Sequence, residues 1–88
     1  MKVVFTDDGW DDYRHWGDND VKLLRRINVL IERIRRDPYR GVGKPEQLKG
    51  QLSGFWSRRI TQEHRLVYGV EGKDEDQQVV IIQCRYHY

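Results

Sequence analysis

Apolar residues recur at helical intervals between Val21 and Ile34. Val21, Leu24, Ile27, Ile31 and Ile34 form one stripe, widened by Leu23 and Leu30, and Lys22, Arg25, Arg26, Arg33, Arg35 and Arg36 fall mostly off it. The pattern predicts an amphipathic helix that opens after Asp18, Asn19 or Asp20 and stops at Asp37 and Pro38. An earlier helix follows from Trp10, Tyr13 and Trp16, which share one side. Thr6 or Asp7 would cap it over an acidic first turn, and Gly17 would end it. The rest of the chain turns to β-type sequence. Lys2 to Thr6 predicts a short strand, and Gly54 to Thr61 with His64 to Tyr68 predicts a hairpin. Val79 to Ile82 predicts a last strand that runs on through Gln83, Cys84, Arg85, Tyr86, His87 and Tyr88.

Alternation assigns the faces of these strands. With Trp56, Ile60, Leu66, Tyr68, Val70, Val80, Ile82, Cys84 and Tyr86 turned to the core, the other side carries Ser57, Arg59, Thr61, Arg65, Gln83, Arg85 and His87. Arg59 and Arg65 share that side only if the turn between the strands holds an odd number of residues, since a slip of one inverts every side chain. The hydrophobic pattern favours the odd turn. The resulting order is strand, helix, helix, then three antiparallel strands, with an extra short strand possible near residues 45–49. Two helices on one sheet face and an open second face make an α+β arrangement.

Composition narrows the class. At 88 residues the chain is expected to be one domain, and 38% apolar with 34% charged residues suits a globular fold rather than a disordered chain. No apolar run is long enough to cross a bilayer, and no signal peptide is expected. The single cysteine, Cys84, has no partner for an internal disulfide, so a structural role in a reducing, cytoplasmic setting is expected. His15, His64 and His87 are scattered and lack companion cysteines, so no metal site or other cofactor is expected.

The net charge of +2 hides a local asymmetry. Residues 1–39 balance eight basic against eight acidic side chains, whereas residues 40–70 hold six basic residues, Arg40, Lys44, Lys49, Arg58, Arg59 and Arg65, against Glu46 and Glu63. A polyanion would bind the second half. The stretch from Arg40 to Lys49 is rich in turn residues but lacks the pattern of a phosphate-binding P-loop. Residues 71–76 form an acidic turn before the last strand.

Glu46, Arg65 and His87 provide a carboxylate, a permanent cation and an imidazole. These are the parts needed to move protons on both sides of a phosphodiester while a guanidinium holds the charge on its oxygens. RNA carries its own nucleophile, the 2′-hydroxyl, so such a site needs neither serine, cysteine nor metal.

The run Gly54, Phe55, Trp56, Ser57, Arg58, Arg59, Ile60, Thr61, the following His64, Arg65, Leu66, Val67, Tyr68, the loop Gly43, Lys44, Pro45, Glu46 and the ending Cys84, Arg85, Tyr86, His87, Tyr88 together resemble the YoeB toxins. These belong to the RelE-like toxins of type II toxin-antitoxin systems, and the likeness covers nearly the whole chain. It implies a RelE-like microbial-ribonuclease fold and metal-free cleavage of messenger RNA in the ribosomal A site. By the same resemblance Glu46 is the general base, His87 the general acid, Arg65 the transition-state clamp and Tyr88 an aromatic that orients the substrate. Lys49 and Arg59 resemble the auxiliary phosphate contacts. Implied partners are a YefM-like antitoxin, the ribosome with its messenger RNA, a second copy in a homodimer, and operator DNA only through the antitoxin complex; no membrane is implied. The acidic turn is longer than the family needs. Two alternatives are a non-catalytic module binding RNA or antitoxin, and an inactivated toxin retained for operon control. The presence of Glu46, Arg65, His87 and Tyr88 weighs against both.

Overall fold

The computed structural model describes residues 1–86; His87 and Tyr88, two of the expected site residues, lie outside the described residues. Short polar side chains place the helices. Thr6 Oγ1 accepts the Gly9 N–H at 3.1 Å and opens α1 (Asp7–Asn19). Asp20 ends α1 through its N–H to the Trp16 carbonyl and opens α2 (Val21–Arg36) by accepting the Leu23 N–H at 3.2 Å. The first helix runs two residues past Gly17, because the break comes from the extended backbone of Asp20 rather than from the glycine. Asp37 and Pro38 stop α2 as expected.

Five strands form one mixed sheet in the order β1-β5-β4-β3-β2: β1 (Lys2–Phe5), β2 (Glu46–Gln47), β3 (Trp56–Arg59), β4 (Arg65–Glu71) and β5 (Gln78–Gln83). β1 runs parallel to β5, and the other pairs are antiparallel. The two residues of β2 are the extra strand anticipated near residues 45–49. The helices pack on one face, giving the α+β arrangement. Their core joins Trp16, Ile27, Leu30, Ile31 and Ile34 to Ile60, Leu66, Tyr68, Val79, Ile81 and Cys84. Val21 and Trp10, both on the apolar stripes of their helices, are exposed. Trp10 instead stacks on Tyr13, with Phe5 beside both.

Glycine sets how closely α1 approaches the sheet. A Cβ on Gly9 would stand 2.3 Å from the backbone oxygen of Ile81, so any side chain there would drive the helix off β5.

Further expectations are corrected. In β5 the core residues are Val79 and Ile81, both fully buried, and not Val80 and Ile82. The register pairs Tyr68 with Ile81 and Val67 with Gln83, so a bulge at Ile82 returns Gln83 to the far side and Cys84 to the core. Regular strand ends at Gln83 instead of continuing. Tyr86 is 52% exposed with φ of 63°, a left-handed conformation that takes it out of strand alternation and out of the core. Arg58, counted in the basic surface, is fully buried on the core side. The face away from the helices is also not bare: Ser57 and Val67 are buried there, and Phe55 lies over Gly69.

Candidate active site

The hairpin of β3 and β4 has the expected parity. Arg59 stands directly opposite Arg65, with Ile60 to His64 between the strands. On the same side, one row across the sheet is Glu46, Ser57, Val67 and Gln83 in successive register. Arg59 lies two residues along β3 from Ser57, a step of about 7 Å. The fold therefore gathers Glu46, Arg59 and Arg65 on one face. Lys49 is exposed just past β2, where the chain enters a tight turn over Gly50–Leu52.

Glu46 is positioned by the loop before it. Gly43 (φ 87°) and Lys44 (φ 51°) make a left-handed turn, and the Gly43 carbonyl accepts the Arg59 N–H at 2.6 Å. A Cβ on Gly43 would meet Leu30 at 3.0 Å and Arg58 at 3.1 Å. The buried Arg58 secures the rest of that loop. Its guanidinium donates to the carbonyls of Asp37 (2.6 Å), Arg40 (2.9 Å) and Val42 (3.2 Å) and to the Tyr68 hydroxyl (3.2 Å). Tyr68 donates in turn to the Pro38 carbonyl at 2.5 Å. A buried cation is tolerable when its donors are all aimed at acceptors, and here backbone dipoles do the work of a counter-ion. Burial raises the Tyr68 pKa, the larger effect, and Arg58 opposes it.

Arg65 is 8% exposed. Its Nη1 donates to the carbonyls of Thr61 (2.7 Å), Gln62 (3.1 Å) and His64 (3.0 Å), so the turn of the hairpin fixes the guanidinium by one nitrogen. A ligand anion would meet the remaining edge, Nε and Nη2. Among the described residues neither Arg59 nor Arg65 has a carboxylate partner. Two cations opposed across a strand pair repel each other, and an anion between them relieves that repulsion.

The segment after β5 is anchored beside Arg65. The Cys84 N–H donates to Asp12 Oδ2 (3.0 Å), and its carbonyl accepts Trp16 Nε1–H (2.7 Å). The Tyr86 N–H donates to His64 Nδ1 (2.8 Å), and the Tyr86 carbonyl accepts the Arg65 N–H (3.1 Å). Arg85 places its guanidinium carbon 4.6 Å above the Tyr86 ring. Burial, with the Asp12 carboxylate adding to it, pushes the Cys84 thiol up to about 12.

Sequence reasoning missed Arg58 and His64. His64 is buried, with the rings of Trp16 and Tyr86 both beside its own. His15 is half-buried on α1, near Asn19 and edge-on to Trp16. A cleft of about 430 Å³ on α2, lined by Asn28, Val29, Glu32, Arg33 and Arg36, contains none of the expected site residues. The candidate site is an open cationic face.

Sequence relatives and solved structures are similar to this chain over its whole length. The family profile for a YoeB-like toxin of bacterial type II toxin-antitoxin system matches residues 5–88. The chain is 59% identical over 88 residues to Toxin YoeB of Streptomyces coelicolor, covering all of both. It superposes on the YoeB/ParE toxin from Agrobacterium tumefaciens with a TM-score of 0.95 at 51% identity, over the whole of each chain. Two Staphylococcus aureus structures, a YoeB dimer and a heterotetrameric YoeB-YefM complex, match at 42% identity with TM-scores of 0.89 and 0.86, covering all of this chain and 98% of theirs. The two-helix cover, the mixed sheet and a sequence match that spans both Glu46 and the arginine pair place this chain in the YoeB family of bacterial type II toxins.

Proposed function

We propose that this toxin is a ribosome-dependent endoribonuclease that cuts messenger RNA in the A site by attack of the 2′-hydroxyl on its own phosphodiester. Glu46 takes the proton from the 2′-oxygen as that oxygen bonds to phosphorus. The bond from phosphorus to the 5′-oxygen breaks, and His87 delivers a proton to the departing oxygen. The products are a 2′,3′-cyclic phosphate and a free 5′-hydroxyl. Arg65, anchored through Nη1, grips the non-bridging oxygens with Nε and Nη2 as negative charge accumulates there. Arg59 and Lys49 hold the flanking phosphates, and Tyr88 orients the substrate.

The observation that carries this reading is the register that sets Glu46 on the same face as the directly opposed Arg59 and Arg65. A carboxylate that shares one sheet face with two cations can work on a phosphodiester, but such a face encloses little of one. Substrate alignment must then come from elsewhere, which fits RNA already held in a ribosome.

The antitoxin partner is a YefM-like chain, in line with the S. aureus complex, and self-association is in line with the S. aureus dimer. Operator DNA is met only through the antitoxin complex, and the working compartment is the cytoplasm.

The test is cleavage of messenger RNA programmed into purified ribosomes, with 5′ ends mapped. Cutting should persist in chelator so long as the ribosomes stay intact, and a 2′-deoxy nucleotide at the cut position should abolish it. Cleavage of the deoxy substrate would rule out the mechanism.

A further inference from the structure

We infer that His64 is a positioning residue for catalysis: its Nδ1 holds the Tyr86 N–H and so fixes the peptide that leads into His87. This rests on the proposed role of His87. A backbone N–H can only donate, so the 2.8 Å contact from Tyr86 requires a lone pair on Nδ1. The neutral ring therefore carries its proton on Nε2, which faces the Glu63 carboxylate at 4.0 Å.

The ring has little freedom to turn away. Trp16 meets it edge-on at a centroid distance of 4.7 Å, Tyr86 lies 5.7 Å away, and the residue is 9% exposed. Its backbone is fixed as well. The His64 N–H donates to Thr61 Oγ1, and its carbonyl accepts from Ile60 N–H, Thr61 N–H and Arg65 Nη1. One residue thus touches both halves of the machinery, the Arg65 guanidinium through its carbonyl and the tail through its imidazole.

Tyr86 supplies the second observation. Its φ of 63° is one that a bulky side chain adopts only when its surroundings impose it. The bonds from its N–H to His64 and from its carbonyl to Arg65 are what impose it. Without the first bond Tyr86 is free to return toward extended strand, and the peptide that follows it loses its anchor.

Two substitutions separate the hydrogen bond from the packing. His64→Phe keeps a ring between Trp16 and Tyr86 but has no acceptor, whereas His64→Asn offers Oδ1 near the place of Nδ1. In the ribosome assay His64→Phe should keep KM and lose kcat on the order of 10- to 100-fold through misalignment. His64→Asn should recover most of that loss. Equal kcat for wild type and His64→Phe would overturn the inference, as would a loss that His64→Asn shares in full. Hydrogen exchange at the Tyr86 amide reads the hold without activity: slow in wild type and in His64→Asn, faster in His64→Phe. Unchanged exchange in His64→Phe overturns the hold even if the protein proves not to be a nuclease. Faster exchange together with no cleavage by wild type would discard the nuclease reading alone.

Discussion

Arg59 and Arg65 face each other on neighbouring strands, yet they are held very differently. Arg65 is buried and locked by three carbonyls, while Arg59 is exposed and contributes mainly charge. Arg65→Lys should therefore remove the planar grip and lower kcat by about 10²-fold, the scale of losing one transition-state donor. Arg59→Ala should instead weaken ribosome binding, with the difference shrinking as salt rises. Removing Arg59 also ends a repulsion between opposed like charges, so the folded protein should gain between about 0.2 and 1 kcal/mol. Melting curves and binding isotherms at two salt concentrations check this. An Arg59→Ala protein that is both less stable and equally tight would contradict the anion-site reading.

At the scale of elements, the loop that carries Glu46 depends on the buried pair of Arg58 and Tyr68. Tyr68→Phe deletes the donor to Pro38 and the acceptor for Arg58, and it should cost about 1–3 kcal/mol because both partners stay buried. The loss should appear in the melting temperature and also in kcat, since residues 37–43 would loosen ahead of Glu46. Loss of stability with kcat unchanged would show that Glu46 is positioned independently. The contact of α1 with β5 is equally local. Gly9→Ala would force a methyl group onto the Ile81 carbonyl, an overpacking that should cost about 1–3 kcal/mol by denaturation, and a neutral result would mean the helix can slide.

These elements also show what the sequence could and could not disclose. The start of α1 and both ends of α2 were legible because Thr6, Asp20, Asp37 and Pro38 act on their immediate neighbours, whereas the end of α1 was misplaced at Gly17. The parity of Arg59 and Arg65 was legible because the hydrophobic positions of β3 and β4 alternate. The face of β5 was not, because four apolar residues in a row, Val79 to Ile82, fit either phase and the deciding bulge lies across from Val67 and Tyr68. Arg58 and His64 escaped for a related reason. What satisfies Arg58 is a set of carbonyls 16 to 21 residues away, and what fixes His64 is an N–H 22 residues away. Composition and spacing carry no trace of such distant partners. Tyr86 looked like one more alternating core residue because nothing local announces a left-handed turn at a tyrosine.

Cys84 ties the two ends of the molecule together. Its N–H, carbonyl and sulfur reach Asp12, Trp16 and Gly9, contacts that span 68 to 75 residues, and the side chain is fully buried. A thiol so placed should be inert in the native protein. At pH 8, labelling by a thiol reagent should proceed no faster than the chain opens, and denaturant should accelerate it in parallel with loss of structure. The same burial makes stability fall in alkali. The unfolded thiol titrates at the ordinary value of 9.0, whereas in the fold it is pushed up to about 12, so between these limits the folded state binds the proton more tightly. That contribution is whole below about pH 9 and is lost as the pH rises toward about 12. Tyr68, also raised by burial, adds a loss of the same sign above 10.0. Cys84→Ala should start from a lower melting temperature because of the void it leaves, but it should decline less steeply from pH 9 upward than wild type. Parallel alkaline profiles for the two proteins, or quick labelling of the native thiol, would mean that the junction between the tail and α1 opens readily. In that case the tail would lack the firm anchorage at Cys84 that the proposed catalysis demands.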